Sequence, residues 1–109
     1  MPNPQWRIRR YVHTDGSEPV SDWLNDLDSQ NQRRIRVAIA RLQAGNLSAV
    51  KWLGGNLAEF RIDTGPGYRI YFTRQGRDEL VLLTGGDKSS QASDIKRARN
   101  YVDSLKGKV

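Results

Sequence analysis

The chain has 109 residues, 18 Lys and Arg against 12 Asp and Glu, one histidine and no cysteine. That length suits a single domain, spanning 1–109, able to bury roughly 60–70% of its unfolded surface in one core. The absence of cysteine excludes thiolate chemistry, and a lone His13 cannot assemble a histidine metal site, so no metal or cofactor is expected. No run approaches the ~20 apolar residues of a membrane span, and residues 1–10 lack the apolar segment of a signal peptide, so a cytoplasmic protein without membrane contact is expected. The cations comprise 13 Arg and 5 Lys, and the excess is +2 over residues 1–50 and +4 over residues 51–109. Arginine's planar fork pairs bidentately with phosphate, so this bias favours a polyanionic partner.

Residues 6–12 alternate as a strand, with Trp6, Ile8 and Val12 on one face and Arg7, Arg9 and Tyr11 on the other. Pro19 suits a first helical turn, and Val20, Trp23, Leu24 and Leu27 then form one apolar stripe. Ser29 with Gln32 fits a capping box for a second helix over residues 30–44, whose stripe is Ile35, Ala38, Ile39 and Leu42 and whose stop is Gly45. Arg33, Arg34, Arg36 and Arg41 are expected on its solvated side. The two helices make a hairpin that needs a sheet to cover.

Residues 57–62 and 68–73 alternate around the turn at 63–67. Residues 80–83 form a continuous apolar run, as a strand covered on both faces would. A last helix over residues 90–106 buries Ile95, Ala98, Val102 and Leu105, leaving 106–109 as a frayed tail. The expected fold is α+β in the order β-α-α-β-β-β-α, with an antiparallel sheet of about four strands covered by an N-terminal helical hairpin and a C-terminal helix.

A turn centred on Gly65 sets Arg61 opposite Arg69 and Glu59 opposite Tyr71. Like charges directly opposite destabilise a sheet, by something within the ~0.2–1 kcal/mol range of cross-strand pairs. Either Glu59 or Asp63 pairs with the arginines, or a bound polyanion neutralises both. The segment Gly85-Gly86-Asp87-Lys88-Ser89-Ser90 lies where a strand meets a helix. It is not a nucleotide-binding loop, because Asp87 stands where that motif needs the glycine before its lysine. Ser89 or Ser90 would still cap the helix, and free N–H groups at a helix start attract an anion beside Lys88.

The strings Lys51-Trp52-Leu53-Gly54-Gly55-Asn56-Leu57-Ala58-Glu59-Phe60-Arg61-Ile62-Asp63, Gly65-Pro66-Gly67-Tyr68-Arg69-Ile70-Tyr71-Phe72 and Leu82-Leu83-Thr84-Gly85-Gly86-Asp87-Lys88-Ser89-Ser90-Gln91 resemble the phage-derived Gp49-like, HigB-type branch of the RelE/ParE toxin superfamily, the addiction module killer proteins. The resemblance runs from about Trp6 to Leu105. It implies a RelE-like fold and the toxin of a type II toxin–antitoxin pair: a metal-independent, ribosome-dependent mRNA endoribonuclease in which the RNA's own 2′-OH attacks the adjacent phosphate. By position, Arg69 and Lys88 would stabilise the developing charge. Arg61 joins them through the pairing argument, and Lys51 sits near basic residues that precede the second strand of the family. Catalytic roles thus fall to Arg69, Lys88, Arg61 and Tyr71, and RNA contact to Lys51, Arg61, Ser89 and Ser90. Asp94 stands about where RelE has a helical tyrosine, so Tyr71 or a lysine of lowered pKa is left to move the proton. The expected partners are ribosome and mRNA, and an antitoxin with a helix-turn-helix domain encoded by the adjacent gene, through which alone operator DNA would be met. Two readings compete with cleavage: a ParE-like inhibitor of DNA gyrase, and a non-toxic remnant that only binds antitoxin.

Overall fold

A computed structural model describes residues 5–106; residues 1–4 lie outside them, as do residues 107–109 of the expected frayed tail. The elements are β1 (Arg7–Arg10), α1 (Pro19–Asn25), α2 (Ser29–Gln43), β2 (Val50–Gly54), β3 (Leu57–Ile62), β4 (Tyr68–Gln75), β5 (Glu79–Gly86) and, after a 3₁₀ turn at Lys88–Ser90, α3 (Gln91–Lys106). The fold is α+β. The five strands form one sheet in the order β1-β5-β4-β3-β2, in which β1 runs parallel to β5 and the other neighbours are antiparallel.

Two features go beyond the sequence expectation. The sheet is mixed rather than wholly antiparallel, because the two helices carry the chain from β1 across to the far edge before the meander begins. A fifth strand, β2, precedes the meander; it is a bulged edge strand of five residues whose register shifts between Trp52 and Gly54. Its Lys51 and Trp52 are both exposed, so it carries no alternation to read.

Strand alternation sorts the interior into two cores. On one face Ala58, Phe60, Ile62, Tyr68, Ile70, Phe72, Leu80 and Leu82 meet Val20 and Leu24 of α1 and Ile35 and Leu42 of α2. On the other, Leu57, Tyr71, Val81 and Leu83 meet Ala98 and Val102 of α3, together with Tyr11. The double cover is why residues 80–83 read as an unbroken apolar run. Val12 departs from its expected face and is exposed, since β1 ends at Arg10; Tyr11 is buried against α3 instead. Asp28, not Ser29, caps α2, its carboxylate accepting from the Asn31 N–H at 2.8 Å.

A β-bulge in β5 positions the end of the sheet. Tyr71 pairs with Thr84 but Phe72 with Leu82, leaving Leu83 as the extra residue. Beyond it, Gly85 lies opposite Ile70 and Gly86 opposite Arg69. Both glycines are required by what packs on them. A methyl group on Gly85 would lie 2.6 Å from Trp23 Cδ2, and one on Gly86 would lie 2.6 Å from Ser90 Oγ and overlap the Asp94 carboxylate.

Candidate functional site

The paired register of β3 and β4 is the expected one: Arg61 opposite Arg69 and Glu59 opposite Tyr71. Glu59, Arg61, Arg69 and Tyr71 all belong to the sheet face that α3 covers, and Lys51 of β2 extends the row through its pairing with Glu59. The start of α3 and the loop before it close over one end of this face.

Arg69 is the centre of the arrangement. Its side chain is 9% exposed and its Nε lies 2.6 Å from Oε1 of Glu59, itself 4% exposed. This is a close ion pair, but the N–H direction misses the oxygen and Nε makes no directed hydrogen bond. Nη1 donates to the Gly67 carbonyl at 3.0 Å. Glu59 is held from the other side by Gln91 of α3, whose Nε2 donates to Oε1 at 3.0 Å. The pairing alternative for the two arginines therefore holds for Arg69, through Glu59. A removed partner would leave a buried charge uncompensated, which typically costs about 3–5 kcal/mol.

Lys88 is exposed at the rim. A methyl group on Gly67 would lie 3.5 Å from Arg69 Nη1 and 3.7 Å from Lys88 Cβ, so the two cationic residues flank one turn. Gly67 has φ +79°, a conformation glycine adopts without strain, and this brings the turn carbonyl back onto Arg69. Pro66, Asp87, Lys88 and Ser89 line a shallow depression of about 310 Å³ beside them. Arg61 is exposed, and it also contributes to a larger groove between α2 and β3.

Three expected site residues are placed differently from their expected roles. Tyr71 has no exposed surface, and its hydroxyl has no hydrogen-bond partner among the described residues. Burial first, then the carboxylates of Glu59 and Asp94, push the phenol up to about 12, with Arg69 opposing them. Such a group holds its proton and cannot touch a polymer in this conformation. Ser89 and Ser90 are not free donors. Asp87 caps the 3₁₀ turn, accepting from Ser89 N–H at 2.8 Å and Ser89 Oγ at 2.5 Å, while Ser90 Oγ donates to Asp94 Oδ2 at 2.5 Å. The hydrogen bonds from the Ser89 side chain and backbone hold the Asp87 carboxyl below its usual value, with a smaller contribution from Arg69. A resident carboxylate thus occupies the helix start that was expected to attract an anion.

Sequence reasoning missed Gln91 and the role of Asp94. The sheet-facing stripe of α3, read from Ile95 through Ala98 and Val102, continues one turn back to Asp94 and Gln91, and polar residues at those positions signal polar groups beneath. Asp94 is 1% exposed and accepts from Ser90 and from Arg97, so it anchors the helix start to β5 at Gly86 rather than facing solvent. Among the described residues no group of three His, Asp or Glu side chains could hold a metal ion, and no helix is long and apolar enough to cross a membrane.

The fold and this end of the sheet define a small α+β protein with a buried, ion-paired arginine beside an exposed lysine. Residues 22–103 match the model of the phage-derived Gp49-like proteins, and the chain belongs to that family. It is also similar to an uncharacterized protein of Haemophilus influenzae, with 42% identity over 84 residues that cover 76% of this chain and 85% of that protein.

Proposed function

We propose that the chain is the toxin of a type II toxin–antitoxin pair and that it acts as a metal-independent, ribosome-dependent mRNA endoribonuclease of the RelE/ParE superfamily, neutralised by a cognate antitoxin. Membership of the Gp49-like family is consistent with a toxin of this kind. The observation that carries the catalytic reading is that an oriented guanidinium, Arg69, and an exposed lysine, Lys88, flank one glycine turn.

In this reading the RNA's 2′-hydroxyl gives up its proton to water as its oxygen attacks the adjacent phosphorus, the bond to the 5′-oxygen breaks, that oxygen takes a proton from water, and the products are a 2′,3′-cyclic phosphate and a 5′-hydroxyl. The transition state carries extra charge on the phosphoryl oxygens, and donors fixed in advance stabilise it without reorganising. Glu59 and the Gly67 carbonyl hold Arg69 for that purpose, and Lys88 and Arg61 supply mobile charge from the rim. Tyr71, sealed and protonated, is a packing residue rather than the proton carrier.

Expression of the intact chain should arrest growth. Lys88→Ala should relieve the arrest while the protein still accumulates in folded form, and so should Arg69→Met made together with Glu59→Leu, which removes both buried charges and leaves neither unpaired. Primer extension on ribosome-bound message should show cuts that vanish in both variants. Growth arrest with no cleavage, or arrest undiminished in both variants, would sink the proposal.

A further inference from the structure

A second concavity lies away from Arg69 and Lys88. It is a groove of about 820 Å³ between α2 and β3. One wall is a second stripe of α2, made of Gln30, Arg33, Arg34, Val37, Ala38 and Arg41, at the spacing that puts residues on one helical face. Ala38 packs against the core at the edge of the buried stripe of Ile35 and Leu42, and the others adjoin that stripe without belonging to it. The opposite wall is the end of β3. The pairing of β2 with β3 stops at Val50 and Phe60, so Ile62 lies beyond the last strand partner on that edge.

The groove has two chemical characters. Arg33, Arg34, Arg41 and Arg61 stand around it against a single carboxylate, Asp63. Its apolar floor is offered by Val37, 48% exposed on a helix whose partner face is already filled, and by the half-buried Ala38 and Ala49, while Phe60 and Ile62 beneath them are buried. The cations ask for an acidic partner. The floor decides which kind. A sugar–phosphate backbone has nothing to bury against Val37 and Ala38, and the one ring in the lining, Phe60, is 5% exposed and cannot stack a base. An amphipathic helix carries both requirements at once, with leucine-type residues for the floor and carboxylates for the rim. From Gln30 to Arg41 the wall is about 16 Å long at ~1.5 Å per residue, which is about three helical turns.

We propose that the groove between α2 and β3 docks an acidic, amphipathic helical segment of a partner protein, about three turns in length. Arg61 aside, which the groove shares with the rim of the proposed catalytic site, this surface is separate from the Arg69–Lys88 turn, and the proposal stands or falls without reference to RNA cleavage.

The test uses three probes with the full chain at low salt. They are a synthetic peptide of about 14 residues with leucines along one helical face and glutamates elsewhere, a scrambled peptide of the same composition, and a single-stranded oligoribonucleotide of similar length. Fluorescence anisotropy gives affinity, and amide shifts of the ¹⁵N-labelled chain give the place. The amphipathic peptide should bind at least tenfold more tightly than the scrambled one, with shifts centred on Val37, Ala38 and Ile62. Val37→Glu, and separately Arg33→Gln with Arg41→Gln, should each weaken it at least tenfold. All three positions are exposed, so the thermal midpoint is expected to stay put; if Val37→Glu lowers it, the double glutamine variant decides. Absence of binding, equal binding of both peptides, or shifts confined to other surfaces would overturn the proposal. Binding of the RNA alone, weakened by the same variants, would assign the groove to nucleic acid and overturn it as well.

Discussion

Replacing Tyr71 by phenylalanine should stabilise the fold. The ring fills the core under α3 with no exposed surface, and its hydroxyl has no hydrogen-bond partner among the described residues. A buried, unsatisfied polar group costs about 1–3 kcal/mol, and removing the oxygen recovers that less the contacts the oxygen made. A net gain of about 1 kcal/mol follows, which in a domain of this size raises the thermal midpoint by about 4–8 °C. The pH dependence offers a second readout. Because the folded chain binds the phenol proton more tightly than the unfolded chain, this group's contribution is complete below pH 10 and is lost as the pH climbs towards about 12. The quantity to follow is the difference between the two proteins, in which every ionisation they share cancels. Wild type should lose more stability between pH 10 and 12 than Tyr71→Phe. Growth arrest on expression should be equal for both. A midpoint lowered by the substitution would mean the hydroxyl has a partner that matters, and loss of growth arrest with the fold intact would return Tyr71 to the chemistry.

Glu59→Leu should destabilise by about 3–5 kcal/mol, because it strands the buried Arg69 guanidinium; denaturant titration reads it, and Glu59→Leu combined with Arg69→Met should recover much of the loss. Gly86→Ala should prevent the start of α3 from seating against β5, a loss of more than about 2 kcal/mol with a large change in the amide spectrum of residues 87–94. Asp28→Ala removes the cap of α2 and should cost about 1 kcal/mol with little change at the sheet, measurable as a lower midpoint with unchanged Arg69 surroundings.

The parts of the fold that sequence made legible are those where one period dominates. β3 and β4 alternate cleanly, so their register, including Arg61 against Arg69, follows from one turn. The stripes of α1, α2 and α3 follow in the same way. β2 was not legible because an edge strand with exposed Lys51 and Trp52 has no buried face to impose alternation. Nor was the parallel pairing of β1 with β5, because no local signal distinguishes a strand that pairs with its chain neighbour from one that pairs across the sheet. At the site, Arg69 and Lys88 emerged from spacing and resemblance. The commitments of Ser89, Ser90 and Tyr71 did not, since a serine's residue type is the same whether its hydroxyl faces solvent or a buried carboxylate.

Those commitments tie the site to the core. Gly85 and Gly86 admit Trp23 from the hairpin side and Asp94 from the α3 side, so both layers close onto β5 at the same two residues. Asp94 fixes Ser90, and the Asp87–Ser90 box fixes the turn that carries Lys88. From the first turn of the same helix, Gln91 reaches Glu59, which holds Arg69. Lys88 and Arg69 thus depend on one helix terminus, although they come from different elements. A change that loosens the start of α3 should therefore disorder both cations together, while the hairpin core, which α3 does not touch, keeps its packing. Amide exchange on Asp94→Ala separates the two outcomes: protection should fall across residues 87–94 and around Arg69, and persist at Ile35 and Leu42. Uniform loss of protection would mean that the two faces of the sheet fold as a single unit and that the site has no independent anchor.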